Sequence, residues 1–148
     1  GEVGTPKQDD KYAFLDLATQ RLAELADGRR VVVGGDFNVA HREVDIKNWK
    51  GNLRKAGFLA PERAYLDDWF DRLGWVDLGR VHGGEGPGPY TWWSWRGKAF
   101  DNDAGWRIDY QLASPALATA GVRAEVDRAP SYAERWSDHA PLVVQYAL

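Results

Sequence analysis

The feature that most constrains the fold is a run of three valines, residues 31–33, that passes directly into Gly34-Gly35-Asp36-Phe37-Asn38. A short, uninterrupted apolar run is typical of a strand that is covered on both faces. The glycines that follow allow the backbone to turn sharply. The sequence therefore predicts a buried strand that ends here, with Asp36 and Asn38 emerging together at the edge of a sheet.

Helical and strand patterns alternate along the rest of the chain. Apolar residues spaced three and four apart predict a helix over residues 11–27, and Pro61 begins a second helix that Gly74 ends. Residues 1–10, 41–58 and 82–89 are predicted to be loops. Alternating apolar residues predict strands over residues 75–78, 90–95, 106–112, 122–126 and 142–148. One domain of class α/β or α+β, spanning residues 1–148, follows from these patterns.

Composition excludes several classes of protein. The chain has 148 residues, 44% of them apolar, which is enough for a sizeable core. It contains no cysteine, so disulfides, thiolate metal sites and cysteine nucleophiles are absent and a hard cation is the favoured metal. No apolar run approaches the ~18 residues of a membrane span, so a soluble protein without membrane contact is expected. The net charge of −3 is mildly unfavourable for a nucleic-acid binder, although Lys47, Lys50, Arg54 and Lys55 cluster in one loop.

Three segments place polar side chains at the ends of predicted strands. Asp36 and Asn38 follow the valine run, Asp109 lies within Trp-Arg-Ile-Asp-Tyr, and Asp138 and His139 lie within Ser-Asp-His-Ala-Pro before the last strand. Neighbouring residues of an extended chain point to opposite sides. His139 therefore needs a carboxylate other than Asp138 to orient its ring, and Asp109 is the candidate.

Each segment also has an ordinary structural explanation when it is taken alone. Asp36 and Asn38 could form an Asx turn at the strand end. Asp109 could pair with Arg107 or face solvent, and His139 beside a proline could be structural. The other two histidines, His41 and His82, are interpreted as surface residues.

The combination and order of the three segments resemble the endonuclease/exonuclease/phosphatase superfamily. Within it, residues 41–69 and 90–110 are similar to the exonuclease III and apurinic/apyrimidinic (AP) endonuclease branch, and the resemblance extends over residues 1–148. It implies half of a four-layer α/β/β/α sandwich, with a mixed β-sheet and helices on its outer face. It also implies a repair nuclease that hydrolyses DNA phosphodiester bonds at abasic sites and 3′ ends, with Mg²⁺ or Mn²⁺ as cofactor.

The resemblance also implies roles for individual residues. Asp36 would generate or position the attacking water, Asn38 would contact the scissile phosphate, and both would belong to the metal site. Asp109 would hold the ring of His139, which would bind phosphate or exchange protons. Asp138 would contribute to the metal region. The remaining implied contacts are with DNA: the abasic-sugar pocket would include Trp92 and Trp106, and the DNA-backbone loop would include Asn48, Lys50 and Asn52.

Members of this branch are roughly twice as long as the chain, so we interpret it as the C-terminal half of such an enzyme. The first half carries a metal-binding glutamate, an asparagine and an active-site tyrosine that have no counterpart here. A full-length monomer in the bacterial cytoplasm, associated with the nucleoid, is the implied setting. Two alternatives stay open: a superfamily enzyme that acts on a phospholipid or inositol phosphate, and a non-catalytic DNA-binding fragment.

Overall fold

The computed structural model describes all 148 residues, and its first element is the long helix α1, Pro6–Leu25. The helix begins at Pro6 rather than at the predicted residue 11. Proline suits a first helical turn because its ring fixes φ and the amide there lacks an intrahelical partner anyway. Leu15 and Leu22 lie seven residues apart, on the same side of the helix, and both are buried.

The strands form two antiparallel sheets. The first has the order β1 (Val32–Asp36), β3 (Asp109–Ala113), β2 (Val76–Asp77), and the second pairs β4 (Gly121–Val126) with β5 (Leu142–Tyr146). The predicted α/β class is confirmed. All three pairings are antiparallel, so the sheets contain none of the parallel pairing that a mixed sheet would have.

Helices cover one face of the first sheet. Tyr110 and Leu112 of β3 pack with the buried side of α1 and with two tryptophans, Trp69 and Trp75. Trp69 lies in a π-helical turn (Asp68–Arg72) that continues α3 (Ala60–Asp67). The other face of β1 is open in this chain, where Val32 is 43% exposed, so the prediction of a strand covered on both faces is wrong.

Some predicted strands are shorter or irregular. Residues 90–95 form no regular strand, and Trp92 makes only isolated bridges, one to Trp106 and one to His139. The predicted strand 75–78 is reduced to β2, because the backbone turns into helix α4 (Leu78–Gly83), which the Asp77 carboxylate caps. The remaining short elements are α5 (Pro115–Ala118) and a 3₁₀ turn, Tyr132–Glu134.

Residues 41–58 are not the surface loop that their polar sequence predicts. They contain a 3₁₀ turn (Glu43–Asp45) and the short helix α2 (Trp49–Asn52). Ile46 and Phe58 are buried in a small apolar cluster with Ile108, the residue before β3. This segment is therefore anchored by Ile46 and Phe58 beside the second predicted site segment, which contains Asp109.

No helix in the structure is both long and apolar enough to cross a lipid bilayer.

Candidate active site

Strand pairing places two carboxylates opposite each other. In the antiparallel ladder of β1 and β3, Asp36 is the register partner of Asp109. Directly opposed residues project from the same face of a sheet, so both carboxylates lie on the open face, away from α1. Asp109 is half-buried and Asp36 is exposed.

The imidazole of His139 completes the cluster. Its Nδ1 lies 2.9 Å from Oδ2 of Asp109, and its Nε2 lies 3.8 Å from Oδ2 of Asp36. The segment that carries His139 is held beside β3 by Trp92, which bridges both Trp106 and His139. The structure thus brings together the three segments that the sequence singled out.

Burial and neighbouring charges shift the pKa values of Asp109 and His139. Burial raises the pKa of the Asp109 carboxyl, and hydrogen bonds from Thr91 and His139 only partly oppose that rise. Burial works against the charged form of His139, but the hydrogen bond and charge of Asp109, together with the charges of Asp36 and Asp138, raise its pKa above the ordinary value of 6.5. The surrounding carboxylates therefore favour the charged, doubly protonated form of the ring.

The turn after β1 is an Asx turn that also orients the site. Oδ1 of Asp36 accepts a hydrogen bond of 2.8 Å from the backbone N–H of Asn38. That bond leaves Oδ2 of Asp36 directed toward His139. Asn38 has a φ of 53°, in the left-handed region that asparagine tolerates better than most residues. Its carbonyl accepts a 2.8 Å hydrogen bond from Nζ of Lys11, which the sequence did not identify.

Asp138 and His139 point to different partners, as the extended geometry predicts. Oδ2 of Asp138 accepts a 3.0 Å hydrogen bond from Nε1 of Trp92. The group of potential ligand atoms that lie within 4.8 Å of one another contains Asp36, Asp109 and His139 but not Asp138. Asp138 therefore fixes an aromatic wall of the site in this structure.

A cleft of about 270 Å³ opens beside the turn that carries Asn38. Two of its walls are the indoles of Trp92 and Trp106, whose centroids lie 6.1 Å apart at an interplanar angle of 90°. Asn52 and Lys55 of the segment 41–58 also line it. Aromatic walls with a few amide and ammonium groups form a surface suited to a sugar-phosphate chain.

The other residues predicted to contact DNA lie on helix α2 and at its N-terminal cap. Asn48 and Lys50 are exposed, and Nζ of Lys50 lies 5.4 Å from the centroid of the Trp49 ring. Asn52 is largely buried, and its Nδ2 donates a 2.6 Å hydrogen bond to the carbonyl of Asn48. Asn52 thus shapes the loop as well as lining the cleft.

A buried ion network behind the site was not predicted. Arg107 does not pair with Asp109; its guanidinium binds both oxygens of Asp77, at 3.0 and 2.7 Å, and Oδ1 of Asp45 at 2.8 Å. Asp45 also pairs with Arg80. Arg107 and Asp109 are two positions apart, and regular alternation would place both side chains on the same face of a strand. Strand β3 begins only at Asp109, so this alternation does not extend back to Arg107.

His41 is also not the surface residue that was predicted, whereas His82 is exposed. The His41 ring is buried, with Nε2 2.6 Å from Oδ1 of Asp67 and an edge contact with Phe70. It packs the segment 41–58 against α3, away from the carboxylate cluster.

The cluster fits a hard divalent cation. Oδ2 of Asp36 makes no hydrogen bond within 3.5 Å to the rest of the chain, and Asp109 supplies a second carboxylate within 4.8 Å. Mg²⁺ prefers oxygen ligands of this kind and retains several waters, so few protein ligands suffice.

Comparison with known proteins identifies the family of the chain. Residues 3–139 match the model of the Endonuclease/Exonuclease/phosphatase family. The chain belongs to that family. It is 34% identical over 143 residues to an exodeoxyribonuclease of Bacillus subtilis, covering 94% of the chain and 53% of that protein.

Two solved structures of family members superpose closely. A 3′ phosphatase from Neisseria, bound to product DNA hairpin, gives a TM-score of 0.88 at 32% identity, covering 99% of the chain and 57% of that protein. An AP endonuclease from Archaeoglobus fulgidus gives 0.88 at 31% identity, with the same two coverages. The predicted endonuclease/exonuclease/phosphatase fold is confirmed. The chain spans about half the length of the relatives that it matches.

Proposed function

We propose that the chain carries half of the active site of a metal-dependent DNA phosphodiesterase of the exonuclease III and AP endonuclease type. The observation that carries the proposal is the His139–Asp109 hydrogen bond of 2.9 Å, with Oδ2 of Asp36 lying 3.8 Å from the other ring nitrogen. An imidazole oriented on one side and facing a second carboxylate on the other is an arrangement for moving a proton at a reacting centre.

In the proposed reaction, water attacks phosphorus and the P–O bond to the leaving strand breaks. Oδ2 of Asp36 holds and orients the water, and Nε2 of His139 exchanges a proton with it or stabilises a phosphate oxygen. Asp109 keeps Nδ1 protonated and fixes the plane of the ring, as the orienting carboxylate does in other histidine-based sites. The amide of Asn38, which lines the neighbouring cleft, donates hydrogen bonds to phosphate oxygens.

We propose that Asp36 holds Mg²⁺ or Mn²⁺ with help from Asn38 and from Asp138 through water. When bound, such an ion neutralises phosphate charge and lowers the pKa of water. Asp138 lies near enough to raise the pKa of His139, although it is bonded to Trp92 rather than joined to the three-residue cluster.

The proposed substrate is double-stranded DNA with abasic sites or 3′ ends. Trp92 and Trp106 would contact a baseless sugar in the cleft, while Asn48, Lys50 and Asn52 would contact the backbone on one side of it. Backbone contacts of this kind position DNA without reading its sequence. The names of the matched relatives, an exodeoxyribonuclease, a 3′ phosphatase and an AP endonuclease, support this substrate class, and the bacterial nucleoid would be the place of action.

We also propose that the chain corresponds to the C-terminal half of a four-layer sandwich and that a second half covers its open sheet face in a full-length monomer. That face forms a groove of about 420 Å³ beside Asp109 and His139. Val32 and Trp136, which line the groove, are 43% and 85% exposed. Apolar surface of this kind is usually covered by a partner. The second half would supply the main metal-binding glutamate.

The test is cleavage of an abasic-site duplex and of a duplex with a recessed 3′ end, with Mg²⁺ and with EDTA. The chain is assayed alone and mixed with the N-terminal half of the Bacillus subtilis relative, with His139→Ala as the inactive control. Metal-dependent cleavage that appears only on mixing supports both the nuclease activity and the division of its active site between two halves.

Two outcomes would replace the proposal. Preferential release of phosphate from a phosphoinositide would assign the site to lipid or inositol phosphate substrates. DNA binding without cleavage in every mixture would make the chain a binding fragment.

A further inference from the structure

Thr91 connects two of the segments that form the carboxylate–imidazole cluster, and no role was predicted for it. The residue is completely buried. Its hydroxyl oxygen accepts two hydrogen bonds, one of 3.0 Å from the backbone N–H of Ile108 and one of 3.1 Å from that of Asp109. Those two amides belong to the residue before β3 and to its first residue, and a side chain rather than a neighbouring strand satisfies them.

The hydroxyl proton of Thr91 reaches the carbonyl of Trp106, which lies 3.5 Å from the hydroxyl oxygen. That carbonyl also accepts the N–H groups of Thr91 and Trp92, both at 2.9 Å. The hydroxyl therefore ties the backbone of residues 108 and 109 to the backbone of residue 106. Thr91 also lowers the pKa of the Asp109 carboxyl, against the rise that burial causes.

The backbone of Thr91 reaches the opposite side of the cluster. Its carbonyl accepts a 2.8 Å hydrogen bond from the N–H of Ala140, the residue after His139. A single residue thus contacts the segment that carries the carboxylate and the segment that carries the imidazole. A shift of Thr91 would change the distance between them.

We infer that Thr91 is a positioning residue whose hydroxyl fixes the backbone of Asp109, so that the Asp109 carboxylate holds His139 in place. It does not touch the substrate in this arrangement. The effect of Thr91 on catalysis rests on the proposed nuclease function. Its effect on the backbone of Asp109 does not.

The test compares Thr91→Val, which keeps the shape and removes the hydroxyl, with Thr91→Ser, which keeps the hydroxyl and removes a methyl group. NMR of the chain reports the amide exchange of Ile108 and Asp109 and the signal of the Nδ1 proton of His139. In Thr91→Val we expect both amides to exchange faster and the Nδ1 proton to lose its protection. In Thr91→Ser all of these signals should stay close to those of the wild type.

Turnover provides the second readout. For the form of the protein that cleaves DNA, Thr91→Val should lower kcat by about tenfold to a hundredfold, the usual effect of losing a partner that orients a site ligand. The KM for DNA should be unchanged, and Thr91→Ser should restore kcat.

Two results would overturn the inference. One is a Thr91→Val protein with unchanged amide exchange and kcat. The other is a Thr91→Ser protein that loses the same signals or activity, because the methyl group rather than the hydroxyl would then hold the site together. The Thr91→Ser comparison can be made even if Thr91→Val does not fold. If no form of the protein cleaves DNA, the proposed function fails while the NMR comparison still decides the role of Thr91.

Discussion

Nδ1 of His139 lies 2.9 Å from Oδ2 of Asp109, although the two residues are 30 positions apart in the chain. The bond fixes which nitrogen carries the proton in the neutral ring, because a carboxylate accepts a hydrogen bond only from a protonated nitrogen. It leaves Nε2 as the nitrogen that faces Asp36. The proton exchange proposed for His139 depends on this contact.

Replacement of His139 by alanine should affect turnover far more than affinity. The imidazole is the group that exchanges protons in the proposed reaction, and losing such a group costs about a hundredfold to ten-thousandfold in rate. The Kd for DNA should change little, because the basic loop and the aromatic cleft are untouched. Single-turnover cleavage and binding titration measure the two quantities, with His82→Ala, at an exposed position, as the control. Near-normal cleavage by His139→Ala would remove the residue from the mechanism.

Asp109→Asn should lower the pKa of His139. In the wild type, burial opposes the charged ring and the hydrogen bond and charge of Asp109 outweigh it. The asparagine keeps the shape but loses the charge, so burial is opposed only by Asp36 and Asp138. NMR titration of the ring in metal-free buffer measures the change, and an equal pKa in both proteins would contradict it.

The same pair predicts a dependence of stability on pH. The folded-state pKa of His139 is raised above the unfolded value of 6.5, so its stabilisation is fully present below about pH 6.5 and is lost as the pH rises through the folded pKa. The difference in unfolding free energy between wild type and Asp109→Asn should therefore shrink as the pH rises through that range. Urea unfolding at a series of pH values checks it.

The sequence was sufficient for the parts of the fold that local pattern determines. Asp109 and Gln111 alternate with buried Tyr110 and Leu112, so the face of β3 that carries the site was predictable. The geometry of Asp138 and His139 was predictable for the same reason, since the side chains of adjacent residues in an extended segment project to opposite sides.

The sequence was insufficient where a polar residue is buried by a distant partner. Asp45 and His41 lie in a polar segment, and their burial depends on partners far away in the chain, Arg107 and Arg80 for Asp45 and Asp67 for His41. Thr91 was missed because its role depends on two backbone amides, which carry no residue-specific signal. Periodicity also overestimated the strand at residues 90–95, where Thr91 and Trp92 pair with Trp106 but Trp93 already pairs with Asp138.

Removing the ring of Trp92 should weaken the selection of abasic DNA over intact DNA. The indole is a wall of the cleft, and its Nε1 also donates to Asp138, so two variants separate the roles. Trp92→Ala removes both, whereas Trp92→Phe keeps an aromatic wall and loses the hydrogen bond. We expect discrimination, measured as the ratio of kcat/KM values, to fall in the first and to persist in the second. Wild-type discrimination by Trp92→Ala would show that the pocket assignment is wrong.

Arg107→Met should destabilise the whole domain. The substitution leaves Asp45 and Asp77 buried without their main cation, and breaking a buried ion pair on one side costs about 3 to 5 kcal/mol in unfolding free energy. Arg123→Ala breaks an exposed pair with Glu125 and should cost about 1 kcal/mol or less, which makes it the matched control. Arg107 binds Asp45 and so holds the segment 41–58 against the residues that precede β3. Partial unfolding of Arg107→Met should therefore expose residues 46–56 to protease first. Equal urea midpoints for the two variants would mean that the network contributes nothing to stability, and the anchoring of residues 46–56 would need another explanation.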